Sequence, residues 1–377
     1  MGKEGWKMYW NILVNALVNL GDVVLTTGAI ALLRRAYPEA RITMLVKPAV
    51  REAVENNPVI DDVIVFSYKA KENAFAKMWN MVRDLRHRHF DLSISLDRKL
   101  RPALLAFLAR IPTRIGPSKV FDSKPSRVTW LYTKTVKITH DLDATLQAET
   151  YQSIVRGVTG QADDETAEPV FARIERENDE RAAALLSRLP QGKMPVALCV
   201  KGTFPLKTWP KVYFGEVVKA LKASYDAAFF IVGAPGDKAY AEEVIAKLAA
   251  PVKNFCGETN LVDLAALIKR SALFVTVDTG AAHIAATTGT PMVVVYGCTH
   301  PKRWHPVMRA AKALTADEPC CPCTCRREEC PSNPKPHCLW HVTPERAIAA
   351  CEELIQRFPK EKQSVNMRRC EGDRSCT

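Results

Sequence analysis

Short apolar runs alternate along this chain with longer segments in which apolar residues return every three to four positions. In the first half, residues 11–15, 41–46, 62–66, 92–96 and 114–116 read as strands. Residues 27–37, 50–55, 74–88 and 103–109 read as helices. The helix over 27–37 gathers Ala29, Ile30, Leu32 and Leu33 on one face, and Pro38 ends it. A polar stretch, 161–177, carries Pro169 and reads as a connection. Beyond it the same rhythm restarts, with strands over 196–200, 228–232, 273–277 and 291–296. Helices are expected over 179–187, 212–223, 239–249, 261–270, 281–288 and 344–357. Alternating strand and helix implies parallel sheets covered by helices on both faces. The fold class is therefore α/β, with two doubly wound units in tandem.

A length of 377 residues suits two domains rather than one core. Their expected limits are 1–172 and 173–342, the latter including a Cys-rich segment over 320–338. A C-terminal helix over 343–358 and a polar tail over 359–377 follow. No apolar run reaches the roughly 20 residues of a membrane span. Residues 1–10 lack the apolar core of an export signal, so a cytoplasmic location is expected.

The net charge of +12 changes the picture, because it favours anionic partners: nucleotides, nucleic acid, phospholipid or phosphorylated glycolipid. Dispersed surface charge is the plainer alternative. The densest cluster, Arg83, Arg86 and Arg88 with His87 and His89, falls on an expected helix. No nucleic-acid-binding module is evident, so no nucleic-acid partner is expected. Of 12 cysteines, six crowd into one segment: Cys320, Cys321, Cys323, Cys325, Cys330 and Cys338. In a reducing compartment stable disulfides are not expected there. Four such thiols suit a tetrahedral structural zinc, with Cys320, Cys323, Cys330 and Cys338 as candidates, against free or redox-active thiols.

In parallel sheets ligands gather at the carboxyl ends of strands, and three such ends carry suggestive residues. Gly21 and Asp22 follow the first strand, where an aspartate serves equally as a helix N-cap. Lys201-Gly202-Thr203 and Lys207 follow the strand over 196–200; glycine, hydroxyl and lysine together can hold a phosphate, with Trp209 as a packing anchor. Asp278-Thr279-Gly280 opens a helix of small residues, whose free N–H groups attract a diphosphate. Asp278 can accept from sugar hydroxyls. His283 reads either as part of that site or as a buried, hydrogen-bonded core histidine. The pair Asp141 and Asp143 mimics a metal-binding Asp-x-Asp, but acids at a helix start are ordinary.

Taken in order, Gly21-Asp22-Val-Val-Leu-Thr-Thr, Lys207-x-Trp209-Pro210, Val277-Asp278-Thr279-Gly280-x-x-His283 and Tyr296-Gly297-x-Thr299-x-Pro301 resemble glycosyltransferase family 9. That family contains the ADP-heptose:lipopolysaccharide heptosyltransferases. The resemblance spans roughly residues 12–354 and departs from many members at Cys298. It implies a GT-B fold, two Rossmann-like domains facing a central cleft, with acceptor bound by the first and donor by the second. It implies Asp22 as general base and Thr203 and Lys207 as phosphate contacts. Asp278, Thr279, Gly280 and His283 would form the donor loop, and Asp237 a ribose contact. The implied reaction is inverting transfer of heptose from ADP-heptose to a lipopolysaccharide core acceptor at the inner face of the membrane, with no cofactor required. A GT-B epimerase acting on a sugar nucleotide, or a non-catalytic nucleotide-sugar or glycolipid binder, is the alternative.

Overall fold

The computed structural model describes residues 8–67, 73–96, 99–118, 128–138, 141, 144–161, 166–248, 250–321, 323, 330 and 337–359. Asp143, Cys325 and residues 360–377 of the expected tail lie outside that set.

The first unit opens with β1 (Asn11–Asn15), α1 (Leu20–Ala36), β2 (Arg41–Val46), a 3-10 turn (Pro48–Ala53) and β3 (Asp62–Val65). It continues through α2 (Ala74–His87), β4 (Leu92–Ser95), α3 (Leu100–Leu108) and β5 (Thr113–Pro117). A 3-10 turn (Thr129–Leu131), β6 (Lys134–Val136) and α4 (Gln147–Thr159) complete it. Its sheet is parallel, in the order β3-β2-β1-β4-β5-β6.

The second unit begins with α5 (Arg176–Leu186), β7 (Met194–Cys199), a 3-10 turn (Pro205–Lys207), α6 (Lys211–Ser224) and β8 (Ala227–Ile231). A 3-10 turn (Pro235–Asp237), α7 (Lys238–Ile245), β9 (Val252–Asn254), α8 (Leu261–Lys269) and β10 (Leu273–Val277) follow. Then come α9 (Gly280–Ala286), β11 (Met292–Val295), α10 (Pro301–Trp304), β12 (Ala311–Leu314), α11 (His337–His341) and α12 (Pro344–Arg357). The strand order β12-β11-β10-β7-β8-β9 repeats that of the first sheet. In each sheet the order reverses beside the first strand, between β1 and β4 and between β7 and β10. Such reversal points open a crevice at the strands' carboxyl ends.

Central strands are mainly apolar because helices cover both faces. Ile12, Leu13 and Val14 in β1 and Phe274 and Val275 in β10 are fully buried. The short strands β6, β9 and β12, which the pattern does not predict, are sheet edges with mixed exposure and no sustained apolar signal.

Helix α1 begins at Leu20, seven residues before the start its pattern predicts. Its first half is buried without a break from Val23 to Ile30, so no polar face exists to reveal a helical period. The buried hydroxyls are satisfied inside the helix: Thr26 donates to the Val23 carbonyl and Thr27 to that of Val24, both at 2.6 Å. Thr27 also accepts from the Val170 N–H at 2.9 Å, binding the interdomain connection to α1. Helix α4, which begins at Gln147 rather than at the helix start expected at Asp141, packs on α1 and buries Gln147, Thr150 and Gln152. Gln152 grips the same connection, donating to the Ala167 carbonyl and accepting from its N–H, each at 2.8 Å.

Candidate active site

Two strand-end loops face each other across the units. A Cβ on Gly21 would come within 2.7 Å of the His283 ring, and one on Gly280 within 2.9 Å of the Leu20 side chain. Both glycines stand where one unit's helix start meets the other's, and any larger residue would force them apart. The carboxyl end of β1 is thereby brought against that of β10.

From the first unit comes Asp22. Asn19, in extended conformation, occupies the N-cap of α1, and Asp22 lies in the first helical turn, so the expected N-cap role is not the one it has. The Tyr151 hydroxyl, from α4, donates to Asp22 Oδ1 at 2.7 Å. Sequence reasoning missed Tyr151, since nothing near it in the chain marks it and its partner is 129 positions away.

From the second unit comes a group around Asp278, which follows β10 and is buried. Its Oδ2 receives the Lys207 ammonium at 2.5 Å and the Thr299 hydroxyl at 2.6 Å. Thr299 belongs to a motif visible in the sequence, but its role as a prop for Asp278 emerges only from the fold. Removing one member of a buried ion pair typically costs about 3–5 kcal/mol, so the three residues behave as one unit. The Lys207 loop is itself anchored by Trp209, fully buried, whose Nε1 donates to the Val342 carbonyl at 2.9 Å.

His283 is buried on α9, and its Nδ1 has no hydrogen-bond partner among the described residues. It is therefore not the hydrogen-bonded core histidine of the plainer expectation. Burial first, then the nearby Lys207 and His305, push its pKa down to about 4, against the opposing pull of Asp278. The imidazole is neutral at pH 7. Because the folded pKa lies below the ordinary 6.5, the unfolded chain takes up the proton first as pH falls. This residue's contribution is complete above pH 6.5 and is lost towards pH 4, by about 3 kcal/mol. Urea unfolding is expected to show the wild type losing more stability than His283→Gln between pH 7 and pH 4. Parallel losses in the two proteins would contradict the assignment.

Three other candidates make contacts of their own. Asp237 pairs with Lys201 Nζ at 2.9 Å and accepts from the Ala234 N–H at 3.0 Å, at the carboxyl end of β8. Thr203 is exposed at the tip of the loop. Thr279 is the N-cap of α9, with its hydroxyl 4.0 Å from Cys199 Sγ. The site thus combines a positioned carboxylate in one unit with a fixed cation in the other, suited to deprotonating one group while neutralising charge on another.

The model of glycosyltransferase family 9 (heptosyltransferase) matches residues 78–334. The chain belongs to glycosyltransferase family 9. This family-9 enzyme is 27% identical to lipopolysaccharide heptosyltransferase 3 of Escherichia coli (strain K12), covering 76% of this chain and 82% of that protein. It is 24% identical to lipopolysaccharide heptosyltransferase 2 of Salmonella typhimurium, covering 78% and 85%. The solved glycosyl transferase family 9 structure from Veillonella parvula superposes with a TM-score of 0.79 at 24% identity, over 93% of this chain and 98% of that one. The E. coli heptosyltransferase WaaC with ADP gives 0.71 at 18%, over 91% and 99%. The fold is GT-B: two Rossmann-like units about a cleft.

In the Cys-rich segment of this family-9 enzyme, the described cysteines are Cys320, Cys321, Cys323, Cys330 and Cys338. Cys320 is exposed, while Cys321 turns inward and its thiol donates to the Gly297 carbonyl at 3.3 Å. A hydrogen bond with Cys338 holds the Cys321 thiol down to about 6, while the buried Cys338 thiol is pushed up by the same contact. Cys321, named in the segment but not among the metal candidates, is the half-buried member of the adjacent pair Cys320 and Cys321. Cys323 and Cys330 are half-buried. Among the described residues no three His, Cys, Asp or Glu side chains are already arranged to hold a metal ion.

Proposed function

We propose that this glycosyltransferase moves a heptose from ADP-heptose to a lipopolysaccharide core sugar, inverting the anomeric centre. The observation that carries the reading is the meeting of the loop that carries Asp22 with the loop that carries Asp278, where Gly21 stands against His283 and Gly280 against Leu20. Asp22 accepts the proton of the acceptor hydroxyl as its oxygen attacks the anomeric carbon. The bond from that carbon to the diphosphate oxygen breaks, and ADP leaves. Lys207, held in place by Asp278, compensates the charge that grows on the diphosphate, with backbone N–H groups at Thr279 and Gly280 beside it. A preplaced cation counts most in the transition state, since it needs no reorganisation when the charge appears. The relatives named as lipopolysaccharide heptosyltransferases support the donor and acceptor classes.

Incubation with ADP-heptose, with and without core acceptor, tests this reading. ADP release only with acceptor is expected. Acceptor-independent conversion of the donor would indicate an epimerase, and binding without turnover a non-catalytic protein.

We further propose that the lysine supplies the leaving-group charge without help from a divalent cation. Transfer is expected to be unchanged by EDTA, and a loss restored by Mg²⁺ would overturn this. For the Cys-rich segment a structural zinc is proposed, on Cys320, Cys323, Cys330 and Cys338. Chelation should then lower the melting temperature and Zn²⁺ restore it, while an unchanged melt would remove the metal from the account. A lipid-borne acceptor also places the enzyme at a membrane surface. No helix among the described residues is long and apolar enough to cross one.

A further inference from the structure

The +12 charge is not dispersed. Residues 73–138 hold fourteen Lys and Arg against four Asp and Glu, so ten of the twelve net charges fall on this one stretch. It forms α2 through β6 of the first unit.

The same stretch exposes large apolar side chains. Phe75 is 83% exposed, Trp130 66%, Leu100 53% and Trp79 48%. The elements that carry them, α2, α3 and the turn with Trp130, are in contact with one another. Phe75 and Trp79 lie one turn apart on α2. The Arg86 guanidinium lies 5.9 Å from the Trp79 ring and donates to the Leu108 carbonyl at the end of α3 through Nε (3.1 Å) and Nη2 (2.7 Å). Phe107, on α3, meets Trp130 edge to face at 5.8 Å, and Arg114 lies 5.4 Å from the Phe107 ring. At the other end of α3, Lys99 donates to the Leu17 carbonyl at 3.1 Å, in the loop that leads to Asp22. The surface therefore adjoins the mouth of the cleft.

Exposed rings cost solvation that a folded monomer usually avoids, and a patch of them signals a partner. Rings interleaved with arginines match the boundary of an anionic bilayer, where aromatics settle at headgroup depth and cations meet lipid phosphates. We propose that the α2–α3 face, with the turn carrying Trp130, docks this enzyme onto an anionic lipid bilayer. The rings enter the headgroup region, and Arg83, Arg86 and Arg101 face the phosphates. The inference rests on the acceptor being lipid-borne. It adds which surface makes the contact, and that the acceptor-side loop is held at the membrane.

Vesicle co-sedimentation of the full chain tests it, with phosphatidylethanolamine vesicles containing or lacking about one-third phosphatidylglycerol. Binding is expected only with the anionic lipid, weakening steeply with salt. Phe75→Ser/Trp79→Ser/Trp130→Ser should weaken it by at least about tenfold, and so should Arg83→Glu/Arg101→Glu. Both variants should match the wild type in transfer to a water-soluble core oligosaccharide freed of lipid. Failure of the wild type to bind anionic vesicles, or undiminished binding by the ring variant, would overturn the docking surface. Binding to RNA with only the arginines required would overturn it in favour of a polynucleotide partner. Vesicle binding without transfer to any core acceptor would leave the surface standing and remove the proposed reaction. Transfer to the soluble acceptor without vesicle binding would do the reverse.

Discussion

Asp22→Asn is expected to lower the rate of heptose transfer by about 10²–10⁴, the usual worth of a positioned general base. The fold should survive. Asp22 does not cap α1, since Asn19 holds that position, and its structural contribution is that of an acid in a first helical turn. That contribution is about 0.3–1 kcal/mol. Asparagine keeps an Oδ1 to accept from Tyr151, so the contact at 2.7 Å has a replacement in the variant. Donor affinity should hold as well, because the Lys207–Asp278–Thr299 group belongs to the other unit. Single-turnover transfer and thermal melting, measured on the same preparation, separate the two roles. Near-wild-type turnover with an intact melt would remove Asp22 from catalysis, and a collapsed melt would make it structural.

Lys207→Ala is expected to reduce kcat/KM by about 10- to 150-fold, the equivalent of one charged hydrogen bond of about 1.5–3 kcal/mol. It also strands the Asp278 carboxylate, which is buried and keeps only the Thr299 hydroxyl of its two partners on Oδ2. A stability loss of about 3–5 kcal/mol should accompany the kinetic one. The two effects come apart in Lys207→Ala/Asp278→Asn. Neutralising the carboxylate should recover most of the melting temperature, and donor use should stay low because the cation is still missing. If the double variant regained kcat/KM together with its stability, Lys207 would be a partner for Asp278 and not for the diphosphate.

These variants draw on two kinds of information. The largely buried central strands β1, β4, β7, β8, β10 and β11 can be read from the chain, because mainly apolar runs record burial on both sheet faces. The amphipathic helices α2, α6 and α12 are legible for a similar reason: each has a polar face that makes the period visible. Asp22, Lys207, Asp278 and Thr299 are legible as motif residues at strand ends, where local backbone order confines ligand chemistry. The start of α1 is not, because uniform burial erases its period, and neither is the start of α4, because that helix buries glutamines and threonines as readily as apolar groups.

The sequence by itself determined two α/β units, their central strands and which strand ends carry the motif residues, since those depend on the burial and conformation of neighbours in the chain. Only the tertiary structure decided that Gly21 meets His283, that Tyr151 holds Asp22, that Thr299 props Asp278 and that Cys321 turns inward towards Cys338. Those pairings join residues far apart in the chain, and packing one unit or element against another brings them within hydrogen-bonding distance. No local periodicity encodes that packing.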